Sequence, residues 1–166
     1  DGRFRPNASV TRADLARSLA LNASLRQLIG GTPKFTEVSG DLRNIAEYVT
    51  ARGSTNRDFD FTPTGMMSAS GFMFKPNSAV TRLETAVAFV KAIGRDTEAM
   101  ALANSTVIVD GTALTDNAQI PGSLRGYVQI AIDKGLFEAF PAEIRQIAPG
   151  QFIAVPGPRF EPSTAV

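Results

Sequence analysis

The sequence contains no cysteine, no histidine and no tryptophan. Without cysteine the chain forms no disulfide and offers no thiolate nucleophile, and the usual zinc sites made of cysteine and histidine are excluded. The Ser-His-Asp triad is excluded as well, because its general base is a histidine. The remaining routes to catalysis use paired carboxylates or a lysine nucleophile. The composition therefore favours a binding module over an enzyme, and it predicts no cofactor and no metal site.

An excess of one charge and long apolar runs are also missing. The 17 Lys and Arg against 16 Asp and Glu leave a net charge of +1, which excludes a strongly basic nucleic-acid domain and an acidic disordered tail. The longest apolar runs are far shorter than the roughly 18 residues of a membrane span. The 166 residues, 43% of them hydrophobic, suffice for one domain with a core. The chain begins with Asp-Gly and no targeting segment, so we expect a piece of a larger protein.

One short motif recurs three times along the chain. The pattern F-x-P-x-x-x-V occupies residues 4–10, 74–80 and 160–166, and the first two copies continue with T-R-x-[D/E]. Phe and Val on either side of a proline turn direct the chain into the next element. The Thr and the acidic residue three positions later have the spacing of a capping box. A helix is therefore predicted after each of the first two copies.

Apolar spacing gives the extent of these two helices. Behind residue 81 the apolar residues recur with a helical period, and Gly94 is placed to end the helix. Behind residue 11 the predicted stripe consists of Leu15, Leu19 and Leu21. A second helical stretch is predicted at residues 24–29.

Two further helices are predicted over residues 41–52 and 123–134. Each has apolar residues on one face and a glycine at its end, Gly53 in one and Gly135 in the other. The two segments look like copies of each other. Each repeating unit is therefore expected to run helix, loop, F-x-P turn and capped helix.

The loops between these helices are long. Residues 54–71 are rich in polar residues and glycine, and residues 148–158 hold three prolines; loops of this length are often functional. Short strands are possible at residues 106–109 and 152–155. We expect one group of apolar residues to be core or a contact between repeats: Met66, Met67, Phe72, Met73 and Phe74.

These motifs resemble the S-layer homology (SLH) repeat, over most of the chain. The segments D-G-R-F-R-P at 1–6 and V-T-R-A-D at 10–14 are similar to the family's D-G-x-F-x-P…V-T-R-A-E signature. The F-T-E-V at 35–38 resembles the F-x-D-V that opens a repeat, and residues 127–136 resemble the family's Y-I-x-x-L-x-x-x-G-[IL] helix end. The family's usual tryptophan is missing, and the D-G-x-F turn is replaced before the second and third F-x-P copies.

The resemblance implies a mainly α fold. Three SLH-like helix-loop-helix repeats are expected around a pseudo-threefold axis, with long loops and short strands. Residues 1–166 are interpreted as one SLH-like domain fragment. It would hold the second half of repeat one at about 1–31, repeat two at about 32–94, and repeat three at about 95–166 without its last helix.

The resemblance also implies a ligand. Such domains bind bacterial cell-envelope polymers, often secondary cell-wall polysaccharide that carries pyruvate ketals, and the arginine of the T-R motif meets the acidic sugar in a groove between repeats. The candidate ligand-binding residues are Arg12, Arg82, Thr11, Thr81, Asp14, Glu84, Gly53 and Gly135. An arginine beside the free N–H groups of a helix start could hold a carboxylate with two charge-assisted hydrogen bonds. The structural alternatives are an ion pair for each arginine, capping for the Thr and acidic residues, and helix termination for the glycines.

The expected function is that of a non-catalytic cell-envelope attachment module that binds an anionic cell-wall polysaccharide at the inter-repeat grooves. Its expected location is extracellular, on the cell wall or cell surface, with no nucleic-acid partner. The alternative is a protein-docking or oligomerisation module, whose partners are other domains of the parent protein or further copies of the chain. Divergent SLH-like regions occur in secreted enzymes such as subtilisin-like proteases, so a parent of that kind is expected.

Overall fold

The computed structural model describes residues 8–22, 34–51 and 65–166, and within these residues helices predominate over short strands. The α-helices are α1 (Arg12–Asn22), α2 (Gly40–Thr50), α3 (Arg82–Ala92), α4 (Asp96–Ala101) and α5 (Arg125–Asp133). Two 3₁₀ turns, Asn117–Gln119 and Gly122–Leu124, precede α5. Among the described helices none is both long and apolar enough to cross a membrane.

The strands form two separate antiparallel hairpins. The first joins β1 (Ile108–Val109) to β2 (Thr112–Ala113), and the second joins β3 (Glu143–Ala148) to β4 (Gln151–Val155). The strand predicted at 152–155 is therefore present within β4, whereas only residues 108–109 of the strand predicted at 106–109 form β1. Their partner strands and the short helix α4 were not predicted.

Both helices that follow the T-R motif begin as the sequence predicts. In α3 the Glu84 backbone N–H donates to Thr81 Oγ1, and the Thr81 N–H donates to Glu84 Oε2 at 2.9 Å. In α1 the same two bonds join Thr11 and Asp14, at 3.2 and 3.1 Å. The predicted end of α3 is confirmed too, because Gly94 follows the helix with a φ of 74°.

The apolar face predicted for α1 is only partly correct. In α1, Leu15 and Leu19 are buried, whereas Leu21 is 85% exposed. The prediction for Leu21 was wrong because two residues of helix rotate a side chain by about 200°, away from the face of Leu19. The stretch predicted at 24–29 lies outside the described residues.

The helices α2 and α5 correspond to the predicted pair of copies. The first ends at Thr50 because Ala51 is extended, and Gly53 lies outside the described residues. The second ends at Asp133, and Gly135 follows with a φ of 66°, as a terminating glycine should.

Among the described residues, the core consists of two clusters that share α3. Helices α1 and α2 pack together around the first cluster. This cluster includes Phe35 and Phe74, whose ring centres are 5.6 Å apart. Helices α4 and α5 pack around the second, which includes Phe160. Because Ala88 belongs to the first cluster and Val90 to the second, α3 buries two different faces.

The predicted apolar group divides between core and surface. Met66, Met67 and Phe74 are buried, whereas Phe72 is 74% exposed and Met73 is 47% exposed. A tight turn explains the difference: Ser70 and Met73 exchange backbone hydrogen bonds of 3.3 and 3.0 Å, which places Phe72 at the tip. Phe72 and Met73 are therefore not part of the core, which was one of the two alternatives predicted for this group.

Backbone hydrogen bonds link the valines of the three F-x-P-x-x-x-V copies in a closed cycle. The Val10 N–H donates to the Val166 carbonyl at 2.6 Å, Val166 donates to Val80 at 3.0 Å, and Val80 donates to Val10 at 2.9 Å. The helix starts join the same arrangement, since the Arg12 N–H donates to the Ser78 carbonyl at 2.9 Å. Three segments far apart in sequence therefore meet at one place.

Candidate ligand-binding site

The second and third F-x-P turns have the same backbone conformation. Lys75 and Glu161, each the residue between Phe and Pro, have φ values of 58° and 54°. Both turns close with a backbone bond of 3.1 Å, from Ser78 to Lys75 and from Thr164 to Glu161. A non-glycine residue in this left-handed region is strained, so each turn requires contacts that hold it.

A carboxylate holds each of these turns. Asp116 accepts hydrogen bonds from the Phe160 N–H at 3.0 Å and from the Glu161 N–H at 2.6 Å. Glu37 accepts in the same way from the backbone N–H groups of Phe74 and Lys75. The two sites differ in burial, because Asp116 is 8% exposed and Glu37 lies at the surface.

The role of Asp116 was not predicted from the sequence. The signal was the L-T-D at 114–116, which matches the F-T-E at 35–37. Because Leu replaces Phe at the first position, the second copy was not recognised.

Arg12 is buried and fixed by backbone carbonyl groups. Its Nε donates to the Phe74 carbonyl at 2.6 Å and its Nη2 donates to the Ser68 carbonyl. The guanidinium also lies 5.0 Å from the centre of the Phe74 ring and 3.4 Å from Glu84 Oε1. Arg12 thus has an ion pair, as one of the two alternatives expected, and its partner is Glu84, which follows the second F-x-P segment.

Arg82 occupies the equivalent position and has a different environment. Its Nε donates to the Phe160 carbonyl at 2.8 Å, as Arg12 does to Phe74, and its Nη2 donates to the Glu138 carbonyl at 2.8 Å. Three aromatic rings surround its guanidinium at 4.4 to 5.0 Å, those of Phe137, Phe140 and Phe160. The contacts of the Arg82 guanidinium thus mainly connect α3 to the third F-x-P segment.

Electrostatics follow from these environments. Burial lowers the pKa of the Arg12 guanidinium and Glu84 partly offsets this; burial likewise lowers the pKa of Arg82, opposed by Glu161 and Asp116. Both arginines remain charged at neutral pH, because the ordinary pKa of an arginine lies far above neutrality. The site therefore presents a cation at neutral pH.

Two cavities flank Arg12. The first, of about 340 Å³, is here named the Arg12 groove; it lies between α1 and α3 and has a largely apolar wall. Its lining includes Leu15, Met66, Leu83, Val87, Leu124 and Tyr127, with Arg12, Glu84 and Lys91 as the charged residues. The second, of about 420 Å³, shares Arg12, Ser68 and Glu84 with the first. Arg12 and Glu84 thus line two open spaces.

A buried polar cluster joins two residues that line the Arg12 groove, Lys91 and Tyr127, to Asp96. Lys91 donates to the Gly65 carbonyl at 3.1 Å and its Nζ is 3.7 Å from Asp96 Oδ1. The hydroxyl of Tyr127 donates to the same Asp96 oxygen at 2.5 Å. Sequence analysis did not predict this cluster, because a single lysine inside a helix carries no distinguishing pattern.

The candidate residues are thus only partly brought together. Arg12 and Glu84 line both cavities, and Thr81 lines the second. The remaining candidates among the described residues line neither of these two cavities: Thr11, Asp14, Arg82 and Gly135. Gly53 lies outside the described residues.

Comparison with protein families finds one match in the chain. The model of the S-layer homology domain matches residues 1–16, a segment that contains the first F-x-P motif and the first T-R motif with Arg12. The match supports an S-layer homology domain in this chain, and domains of this family generally act as cell-wall anchoring modules. A comparison with curated proteins finds no match. Neither comparison supports a subtilisin-like parent protein.

Proposed function

We propose that this chain is a non-catalytic module that attaches its parent protein to the bacterial cell envelope, by binding an anionic wall polysaccharide in the Arg12 groove. One observation carries the proposal: Arg12, within the segment that matches the family model, lines two cavities and is fixed by two backbone carbonyl groups. The corresponding location is outside the cell, on its wall or surface. The parent protein can still be an enzyme.

The chemistry of the Arg12 groove fits such a ligand. A guanidinium has five N–H donors, and the contacts within the described residues engage three nitrogens of Arg12 once each. Counted over the described residues, two N–H donors are not engaged by these bonds, and we assign them to a carboxylate, whose two oxygens match the planar guanidinium. The apolar wall at Leu15, Leu83 and Val87 can contact the methyl group of a pyruvate ketal.

The proposal includes three repeats around a pseudo-threefold axis, one for each F-x-P segment, with boundaries at about 1–31, 32–94 and 95–166. The closed cycle of Val10, Val80 and Val166 supports it. The repeated bond from an arginine Nε to the phenylalanine carbonyl of the next segment supports it as well. The groove then lies between the first two repeats.

Replacing Arg12 with glutamine should weaken binding to purified cell-wall sacculi by roughly tenfold or more, because a charge-assisted pair is lost. The measurement is co-sedimentation over a range of sacculus concentrations. Arg17→Gln is the matched control, since it removes the same charge from an exposed position on α1. Sacculi stripped of polysaccharide with hydrofluoric acid identify the wall component that is bound.

Arg82→Gln, measured in the same assay, distinguishes the contribution of Arg82 to binding from that of Arg12. Because aromatic rings enclose Arg82, we expect it to change binding less than Arg12→Gln does. Thermal unfolding of each variant establishes that it is folded at the assay temperature. Equal binding by the parent chain and a folded Arg12→Gln variant would refute the proposed role of Arg12, and binding to stripped sacculi would refute the ligand class.

Replacing Glu84 with glutamine should have the opposite effect and strengthen binding about twofold to fivefold. Its carboxylate lines the Arg12 groove 3.4 Å from the guanidinium, so it repels an anionic ligand and competes for the cation. Glutamine keeps the capping geometry, which leaves the start of α3 intact. The side chain is 39% exposed, so salt screens its charge and the gain should shrink at high ionic strength. Weaker binding by this variant at low salt would contradict an anionic ligand.

A further inference from the structure

The β3–β4 hairpin is the most exposed part of the described chain. Residues 143–147 and 151–154 are all exposed, and Ile144 and Phe152 keep 77% and 62% of their surface accessible. No third strand pairs with either edge among the described residues. An isolated two-stranded sheet is only marginally stable in water. The hairpin therefore has exposed apolar side chains and an unpaired strand edge that a partner could bury.

The hairpin presents different chemistry on its two faces. Ile144 lies opposite Ala154 and Gln146 opposite Phe152, so Ile144 and Phe152 share one face. Glu143 and Arg145 share the other, where Glu143 accepts from Arg145 at 2.6 Å. Arg159, from the body of the domain, also donates to Glu143, at 2.7 Å. These charges fix the base of the hairpin and leave the face with Ile144 uncovered.

The sequence of β3 is complementary in charge to itself. When two copies of an antiparallel strand meet about a twofold axis at Ile144, Glu143 of each copy lies opposite Arg145 of the other. An axis at Glu143 or at Arg145 would instead set like charges against each other. Pro141 and Pro149 flank β3 and limit pairing at other registers. One register is thus favoured, and it requires an identical partner strand.

We propose that β3 is a self-association edge, through which two copies of this chain form one continuous four-stranded sheet. The pairing brings Ile144 of the two copies together on the uncovered face and adds two Glu143–Arg145 pairs between copies. With a net charge of only +1, the copies repel each other little. The dimer would present two Arg12 grooves together, which raises the avidity for a repeating polymer. Self-association itself does not depend on the proposed glycan ligand.

Sedimentation velocity of the full chain, without glycan and at about 5 to 500 micromolar, tests this pairing. We expect a monomer–dimer equilibrium with a Kd on the order of tens of micromolar, since one strand pair buries less than the roughly 1,200 Å² of a stable interface. Arg145→Glu and Glu143→Arg should each weaken the dimer by roughly tenfold to thirtyfold, because like charges then meet. An equimolar mixture of the two variants should regain the dimer, because each strand then faces only opposite charges.

The controls are two exposed residues of another ion pair. Arg95→Glu and Glu98→Arg change the charge by the same amounts at side chains of similar exposure, 48% and 47%, away from the hairpin. They should leave the Kd unchanged. Ile144→Asp avoids the ion pairs of the hairpin and should also abolish the dimer, so the test stands even if Glu143→Arg fails to fold.

Three outcomes would overturn the proposal. The parent chain could remain monomeric throughout the concentration range, which would leave the hairpin to a different partner, such as a lipid surface or another polypeptide. The dimer could persist in Ile144→Asp, which would place the interface elsewhere. Finally, the two charge variants could be folded and yet fail to dimerise, both when they are mixed and when salt is added. That result would exclude the Glu143–Arg145 register.

Discussion

Replacing Asp116 with alanine is expected to lower the free energy of unfolding by about 2 to 4 kcal/mol. The side chain is 8% exposed and accepts hydrogen bonds from the backbone N–H groups of Phe160 and Glu161. Alanine leaves both donors without their partner, and Phe160 is fully buried, so water does not readily replace the carboxylate. The turn that these bonds hold also has Glu161 in the left-handed region, and its strain is then unopposed.

The measurement is urea denaturation, supported by thermal unfolding with an expected decrease in Tm of roughly 5 to 15 °C. Asp133→Ala is the matched control, because it removes the same side chain from an exposed position at the end of α5. Glu37→Ala offers a graded comparison: Glu37 holds the equivalent turn but is exposed, so water can take its place and the loss should be smaller. Equal stability of Asp116→Ala and Asp133→Ala would exclude an anchoring role.

The role of Asp116 extends beyond its own turn. The carbonyl group of Phe160 accepts from Arg82, and the Leu83 N–H donates to the Pro162 carbonyl at 3.1 Å. The carboxylate therefore fixes the turn, and the turn fixes the start of α3. By the equivalent contacts, Glu37 fixes the turn at Phe74 whose carbonyl holds Arg12. Glu37, which lines neither of the two cavities at Arg12, thus positions the arginine that the proposal assigns to the ligand.

Local features of this fold were predictable from the sequence. The caps at Thr11 and Thr81 depend on residues three positions apart, and the end of α3 at Gly94 depends on one glycine. Because the interacting groups are close neighbours in the chain, their spacing in the sequence is enough to identify them. The T-R motif likewise gave Arg12, which lines the groove.

Long-range contacts were not predictable in the same way. Arg12 meets a carbonyl group 62 residues away, and Asp116 meets a backbone N–H 44 residues away; backbone atoms carry no residue-specific signal. The same limit explains why Arg12 and Arg82, identical in motif, differ in environment: the rings around Arg82 come from residues 137, 140 and 160. Strand β3 was missed for another reason, since an exposed strand need not show the alternation that burial of one face imposes.

Gly126 illustrates a contact that only the structure identifies. It lies in the first turn of α5, buried against α4, and a Cβ atom there would be 2.0 Å from the Ala99 carbonyl oxygen and 2.9 Å from Leu102 Cβ. From the sequence alone, a glycine in a helix is only a weak helix former. Because Gly126 has no side chain, α4 and α5 can pack closely at this position.

Replacing Gly126 with alanine should therefore destabilise the protein by about 2 to 4 kcal/mol, although alanine favours a helix by about 1 kcal/mol. Gly122→Ala is the control within the same segment. Its Cβ would be 2.1 Å from Asn104 Oδ1, the end of a side chain that can move aside, so we expect a change within about 0.5 kcal/mol. Urea denaturation of both variants compares a rigid obstacle with a movable one.

Gly126→Ala should also change the shape of the Arg12 groove. Tyr127 follows Gly126, lines that groove, and donates to Asp96 at the start of α4. If α5 moves away from α4 to accommodate the new methyl group, this 2.5 Å hydrogen bond lengthens and the wall of the groove shifts. Folded Gly126→Ala should then sediment with sacculi less than Gly122→Ala does. Unchanged stability of Gly126→Ala would mean that α4 and α5 leave room for a Cβ atom at residue 126, which would contradict the 2.0 Å distance from that atom to the Ala99 carbonyl oxygen.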